Sequence, residues 1–210
     1  MIITEEMLDA LRSRVSEGMS QKRFTHTAEV EKMAAYLGSI YAPDKIPMLR
    51  AAALLHDVTK EYSYNEQIEL CQKYGVELEA DARFAPKTLH ARTAAAIIPE
   101  RFSDFSDAEI ISCVRYHTTG RADMTLCEKL IYLADYIDLS RTFEDCVKLR
   151  NYFLAADPEK LSEDERLAHL DATLIMSYDM TVRALVEEGT PISLDTMAAR
   201  NQLIREKLSR

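Results

Sequence analysis

Four times along this chain a Ser or Thr stands three residues before a Glu at the head of an apolar-periodic run: Ser63 with Glu66, Ser106 with Glu109, Thr125 with Glu128, and Ser162 with Glu165. Such a pair satisfies two of the amides that a helix start leaves without partners, so each predicts a helix beginning. Stop signals answer the starts. Gly75 ends the run from Ser63, Gly189 is placed as a left-handed C-terminal cap, Pro43-Asp44 breaks the second run, and Pro99 is expected to stop a short helix over residues 89–98. Thr4 opens a first helix ending at Gly18, Ser20 opens a second to about Tyr41, and Pro47 suits the first turn of a third. Further helices are expected over 106–117, from Thr125 through Ile137, over 143–156, from Ser162 to Gly189, and over 194–208. No stretch alternates apolar and polar residues as a half-buried strand would, and no repeat or low-complexity linker interrupts the pattern. The expectation is an all-α bundle forming a single domain, 1–210.

With 35 acidic against 26 basic residues the formal charge is −9, which argues against a nucleic-acid polymer as partner. It leaves room for a local basic pocket that takes a small phosphorylated molecule. The four cysteines, Cys71, Cys113, Cys127 and Cys146, have no C-x-x-C spacing and fall in helical patterns. They read as reduced, buried thiols. No run reaches membrane-spanning length, and Met-Ile-Ile-Thr-Glu-Glu-Met lacks the basic and apolar regions of a leader. A cytoplasmic protein is expected.

The chemistry gathers around Arg50 to Lys60, where an apolar helix runs into adjacent His56 and Asp57. Neighbouring helical residues point about 100° apart, yet one metal ion over the helix end can collect an imidazole and a carboxylate together. Three more histidines hold suggestive places: His26 inside the second helix, His90 opening the fifth, and His117 closing the sixth. Asp135 lies among Leu133, Ala134 and Ile137, where burying a carboxylate costs free energy unless a cation or strong donors meet it. Taken singly, each histidine is as readily a capping or hydrogen-bonded core residue. His169, beside Glu165, Arg166 and Asp171, reads as a solvated face residue. Tyr62, Tyr116 and Tyr136 are placed to stack on a base or, more simply, to pack.

The order His, His-Asp, His, His, Asp resembles the HD superfamily of metal-dependent phosphohydrolases. The flanking residues Arg23-x-x-His26-Thr, Leu55-His56-Asp57-x-x-Lys60, His117-Thr118-Thr119-Gly120, Ala134-Asp135-Tyr136 with Arg141, and Asp195-Thr196-x-x-x-Arg200-Asn201 look like the YqeK-type family of symmetrical bis(5′-nucleosyl)-tetraphosphatases. Leu139-Ser140 departs from that family's usual acidic residue and proline, which bears on how Arg141 is presented. The resemblance implies an HD core over about 20–140 with a C-terminal helical extension over about 143–210. It implies His26, His56, Asp57 and Asp135 as ligands of a divalent metal, with iron first and manganese or another transition metal next. It also implies cleavage of diadenosine tetraphosphate to two ADP, by water activated at that metal attacking an inner phosphorus. Arg23, Asp57, Lys60, His90, His117, Thr118, Asp135 and Arg141 are expected to contact the nucleotide, with Asp57, His90 and His117 as catalytic groups. For His90 and His117 three roles stay open: phosphate binding, leaving-group protonation, and ligation of a second metal. The partner is a small nucleotide, no membrane is involved, and a homodimer is allowed. Other readings with the same fold are a different HD nucleotide phosphohydrolase or a metal- and ADP-binding sensor.

Overall fold

A computed structural model describes residues 2–78 and 84–209, so Met1 and Arg210, at the ends of the expected domain, lie outside the described residues. Ten α-helices and no strand occur among the described residues: α1 (Glu5–Glu17), α2 (Gln21–Tyr41), α3 (Ile46–Leu55), α4 (Tyr64–Lys73), α5 (Leu89–Arg101), α6 (Ala108–Tyr116), α7 (Leu126–Ile137), α8 (Glu144–Ala155), α9 (Glu163–Glu187) and α10 (Leu194–Ser209). The protein is all-α. Three expected capping boxes form as reciprocal pairs, at Ser63/Glu66, Thr125/Glu128 and Ser162/Glu165. The fourth does not. Ser106 is drawn into a 3-10 turn by its amide bond to Ser103 O (3.1 Å), and Asp107 caps α6 instead by accepting from the Glu109 amide. Pro99 does not end α5, which runs on to Arg101; the Phe102 amide closes it on Ile98 O.

The centre is α3. Leu49 and Ala51 through Leu55 are all buried, and their small side chains let α2, α6 and α7 close around them. Each fully buried Leu contributes roughly 1.5–3 kcal/mol through the apolar area it removes from water. One buried acid ties this helix to its neighbours. Glu31 on α2 accepts Arg12 Nε (3.0 Å) and Nη2 (2.7 Å) from α1 and Arg50 Nε (2.9 Å) from α3. With three charge-assisted bonds on one carboxylate, the burial cost is offset and α1, α2 and α3 are tied together. α4 lies on α5, while α8, α9 and α10 pack in sequence on α7.

α9 reaches the bundle at the turn after α6. Gly120 has φ +64° and donates its amide to Tyr116 O (2.8 Å), closing α6 as a left-handed cap. A Cβ there would sit 1.9 Å from Tyr178 Oη of α9, whereas a Cβ on Gly75, at φ +63°, would meet nothing within 4 Å. The pair separates backbone from packing cost. Gly75→Ala should lose about 1–2 kcal/mol from left-handed strain alone. Gly120→Ala should lose that plus about 1–3 kcal/mol of overpacking. At roughly 2–4 °C per kcal/mol, thermal denaturation should place Gly120→Ala clearly below Gly75→Ala; equal melting temperatures would contradict the packing of Tyr178 on this turn.

Candidate metal centre

α3 ends at Leu55, and residues 56–62 continue as irregular turns rather than as helix. His56 is therefore the C-cap, next to carbonyls that have lost their intrahelical partners. Its Nδ1 donates to Ala53 O at 2.6 Å. His117 repeats the device as the C-cap of α6, with Nδ1 donating to Val114 O at 2.7 Å. His90, at the head of α5, does the same with Lys87 O at 2.7 Å. A carbonyl can only accept, so Nδ1 carries a proton in all three, and without a second proton each ring turns an Nε2 lone pair inward.

Those lone pairs meet carboxylates. His26, on α2, holds Nε2 2.9 Å from Asp135 Oδ1 and 3.7 Å from Asp57 Oδ2; His56 Nε2 lies 3.3 Å from Asp57 Oδ2 and 3.7 Å from Asp135 Oδ1. Both Nε2 atoms are buried and make no hydrogen bond. The other oxygen of Asp57 faces elsewhere, 3.2 Å from His90 Nε2 and 3.8 Å from His117 Nε2, which are 3.0 Å from each other. Three groupings are close enough to share an ion: His26/His56/Asp57, His56/His117/Asp135 and Asp57/His90/His117. The lone pairs of His56, His90 and His117 repel the carboxylate oxygens they face when no proton lies between, and a divalent cation removes that repulsion. The donor set of imidazoles and carboxylates thus fits a first-row metal.

The cationic residues surround this cluster. Arg23 Nη1 donates to Asp57 Oδ2 (2.7 Å), and Arg141 bonds the Asp135 carboxylate directly and its carbonyl through Nε (2.5 Å). The sequence leads both arginines to be expected on the nucleotide; the structure pairs each with a ligand carboxylate. Lys60, expected one helical turn beyond Asp57, is instead carried by a turn whose amide bonds Asp57 O, and its Nζ lies 3.2 Å from His90 Nε2. Thr118 Oγ1 stands 3.2 Å from the same nitrogen. All ten residues singled out in the sequence, from Arg23 to Arg141, converge here. Two others do so without having been singled out. Asp138, fully buried, lies 3.3 Å from His26 Nδ1, and Ser140 Oγ, 3.2 Å from that nitrogen, also donates to Asp138. The Leu139-Ser140 departure thus supplies a hydroxyl to the His26 ring. The only signal for Asp138 was a carboxylate at the end of an apolar helix.

Other expectations resolve as packing. His169 is not simply solvated: Nε2 donates to Phe153 O (3.0 Å) and the ring stacks on Phe153. Tyr136 stacks on Tyr132, Tyr62 Oη accepts from Arg101 (3.2 Å), and Tyr116 lies under Arg115 and Arg121. All four cysteines are buried and free.

Burial alone would lower the His26 pKa, but the Asp135 and Asp138 carboxylates outweigh it and raise it to about 9. Burial pushes the Asp57 and Asp135 carboxyls up. When protonated, the His56 and His90 rings hold Asp57 well below the usual range all the same, and Arg141 with His26 does so for Asp135. Burial lowers His90, His117 and Lys60.

A histidine, a histidine-aspartate pair and a later aspartate brought together on a helical bundle define a metal hydrolase of the HD class. The HD domain family matches residues 23–140. A protein of Halalkalibacterium halodurans called bis(5′-nucleosyl)-tetraphosphatase, symmetrical, is 30% identical over 92% of this chain and 95% of its own length. Proteins of the same name from Bacillus subtilis and Staphylococcus aureus are 29% and 31% identical, over 90% and 69% of this chain and 94% and 73% of theirs. The crystal structure of a Clostridium acetobutylicum protein, described as a predicted HD superfamily hydrolase involved in NAD metabolism, superposes with a TM-score of 0.82. It is 29% identical, over 98% of this chain and 100% of that one. The chain belongs to the HD domain family, in the group that holds these tetraphosphatase relatives.

A raised histidine pKa stabilises the fold below the ordinary value of 6.5 and stops doing so as pH rises through about 9. In chelator-treated protein, the stability gap between wild type and His26→Gln should therefore be widest at or below pH 6.5 and shrink toward pH 9. Denaturant unfolding of both proteins across that range checks this. A constant gap would mean that His26 is not held as an imidazolium between its carboxylates.

Proposed function

We propose that this protein hydrolyses symmetric dinucleoside tetraphosphates, diadenosine tetraphosphate first among them, to two nucleoside diphosphates. The observation that carries the reading is the two-sided Asp57 carboxylate, one oxygen toward His26 and His56 and the other toward His90 and His117. The names of the relatives supply the substrate.

In this reading His26, His56, Asp57 and Asp135 hold a divalent cation, with iron the first choice and manganese the next, and Asp57, His90 and His117 hold a second. Such a cation polarises phosphoryl oxygens and lowers the pKa of water bound to it. The chain supplies the rest. Arg23, Lys60 and Arg141 gather positive charge in an acidic protein, against the many charges of a tetraphosphate. Water adds to one inner phosphorus, and the anhydride bond to the other inner phosphate breaks, so each product keeps two phosphates. The departing diphosphate needs a proton. Lys60 Nζ, held 3.2 Å from His90 Nε2, is the donor for it, and burial lowers the Lys60 pKa so that it gives the proton up more readily. Thr118 orients the His90 ring from the other side. The four reduced thiols support a cytoplasmic setting. The HD core over about 20–140 and the extension over about 143–210 are read as parts of one domain.

Hydrolysis of diadenosine tetraphosphate in 18O-water, followed by chromatography and mass spectrometry, should give ADP alone with one label per pair of products. AMP with ATP would sink the assignment, and released phosphate from a mononucleotide would point to another nucleotide phosphohydrolase.

Charge recognition and metal retention should separate by substitution. Lys60→Ala removes a charge-assisted contact of about 1.5–3 kcal/mol and should lower kcat/KM roughly 10- to 100-fold with metal content unchanged. His56→Ala should lose the metal itself, by elemental analysis, while helical circular dichroism persists. Lys148→Ala, on an exposed face of α8, should match wild type in both. Wild-type kcat/KM in Lys60→Ala would move the phosphate pocket elsewhere.

A further inference from the structure

The segment that carries Asp57 and Lys60 is not helical and is held locally only by turn bonds, such as Lys60 N to Asp57 O (2.9 Å) and Tyr62 N to Thr59 O (3.1 Å). Besides the contacts of Asp57 and Lys60 with His90 and the Arg101–Tyr62 bond, a buried tie to α4 and α5 is made by three side chains outside the cluster already described. Gln67 Nε2, from α4, donates to Thr59 O at 2.5 Å. Thr93, from α5, donates its hydroxyl to Gln67 Oε1 at 2.5 Å. Thr59 Oγ1 lies 2.8 Å from Thr93 Oγ1 and 2.9 Å from the carbonyl of His90. Thr59 and Thr93 are fully buried and Gln67 is nearly so.

The proton directions follow from the acceptors. Thr59 O can only accept, so the Gln67 amide must present its NH2 there and its oxygen to Thr93. Turned the other way, the carboxamide would set oxygen against oxygen. Thr93 therefore spends its one proton on Gln67, and Thr59 shares its own between Thr93 Oγ1 and His90 O. Every hydroxyl is committed, which a buried network needs if it is to rigidify rather than destabilise.

We propose that Thr59, Gln67 and Thr93 form a buried positioning relay that fixes the Asp57–Lys60 segment against His90 and so sets the Lys60–His90 separation. Thr59 lies between Asp57 and Lys60 in the chain and grips the backbone of His90. Its hydroxyl thus links the backbones of two groups that approach from different elements. The three are positioning residues, acting on the reacting atoms only through Lys60 and His90. The consequence for turnover rests on the proposed function above; the geometric claim does not.

The test compares Thr59→Val and Gln67→Met, which remove the bonds at similar volume, with Thr59→Ser, which keeps the hydroxyl. Partners of this kind commonly cost 10- to 100-fold when lost. Thr59→Val and Gln67→Met should lower kcat by about that factor, with KM within about threefold and metal content at wild-type level, and Thr59→Ser should recover most of the loss. In chelated protein, long-range 1H–15N spectra should show the His90 ring signals, assigned with His90→Ala, displaced in Thr59→Val and Gln67→Met and restored in Thr59→Ser. Wild-type kcat or wild-type His90 signals in Thr59→Val and Gln67→Met, even with lowered melting temperatures, would reduce the relay to ordinary core packing and overturn the inference. If wild type itself cleaves no dinucleotide, the functional reading fails, and the metal-free spectra still decide the relay.

Discussion

Everything in this site depends on a carboxylate that ought not to be buried. Asp57 is almost wholly shielded from water, and an ionised group there is tolerated only when opposite charge and hydrogen bonds surround it. Arg23 meets part of that demand, and the imidazoles on both sides of the side chain would meet the rest through a shared divalent cation. Arg23, His26 and His56 approach Oδ2, while His90 and His117 approach Oδ1. These groups come from α2, from the end of α3, from α5 and from the end of α6. One charge thereby fixes how four elements may be arranged. Asp135 repeats the pattern at smaller scale, with Arg141, His26 and His56 around it.

Helix ends do much of the orienting. His56 and His117 sit where α3 and α6 stop, and each uses Nδ1 to satisfy a carbonyl that the missing next turn has left open. That bond decides the tautomer, and the tautomer decides that a lone pair rather than a proton faces the cluster. Local helix termination and metal-ligand chemistry are here one event. His26 cannot use this device because it lies inside α2, and Asp138 with Ser140 serves its Nδ1 instead. This explains why a polar, fully buried aspartate closes the otherwise apolar α7.

The C-terminal helices act on the site through packing. Tyr178 of α9 stacks on Tyr132 and presses on Gly120, the residue whose left-handed conformation turns the chain directly after His117, Thr118 and Thr119. Arg92, two residues beyond His90, donates to Glu77 O and lies 4.0 Å from Asp195 of α10. Both connections bring the late Asp195-Thr196 stretch and the α9 core into mechanical contact with the histidine cluster without placing either in it.

By itself the sequence determined the all-α class and most helix starts, because these follow from short-range rules, while the histidine and aspartate cluster was legible only through the resemblance of its order to the HD superfamily. Capping boxes at Ser63, Thr125 and Ser162 act within four residues, and a His-Asp pair after an apolar run is visible as written. It misjudged Ser106, where a 3-10 turn competed for the cap, and Pro99, where α5 needed only the next amide bond to continue. What the tertiary structure alone decided is orientation across elements. That Arg23 and Arg141 lie on the ligand carboxylates, that Asp57 divides its oxygens between two imidazole pairs, and that Thr59 meets Thr93 and Gln67 all depend on residues dozens of positions apart. No periodicity encodes such pairings; they arise when buried polar groups from separate helices must satisfy one another in the absence of water.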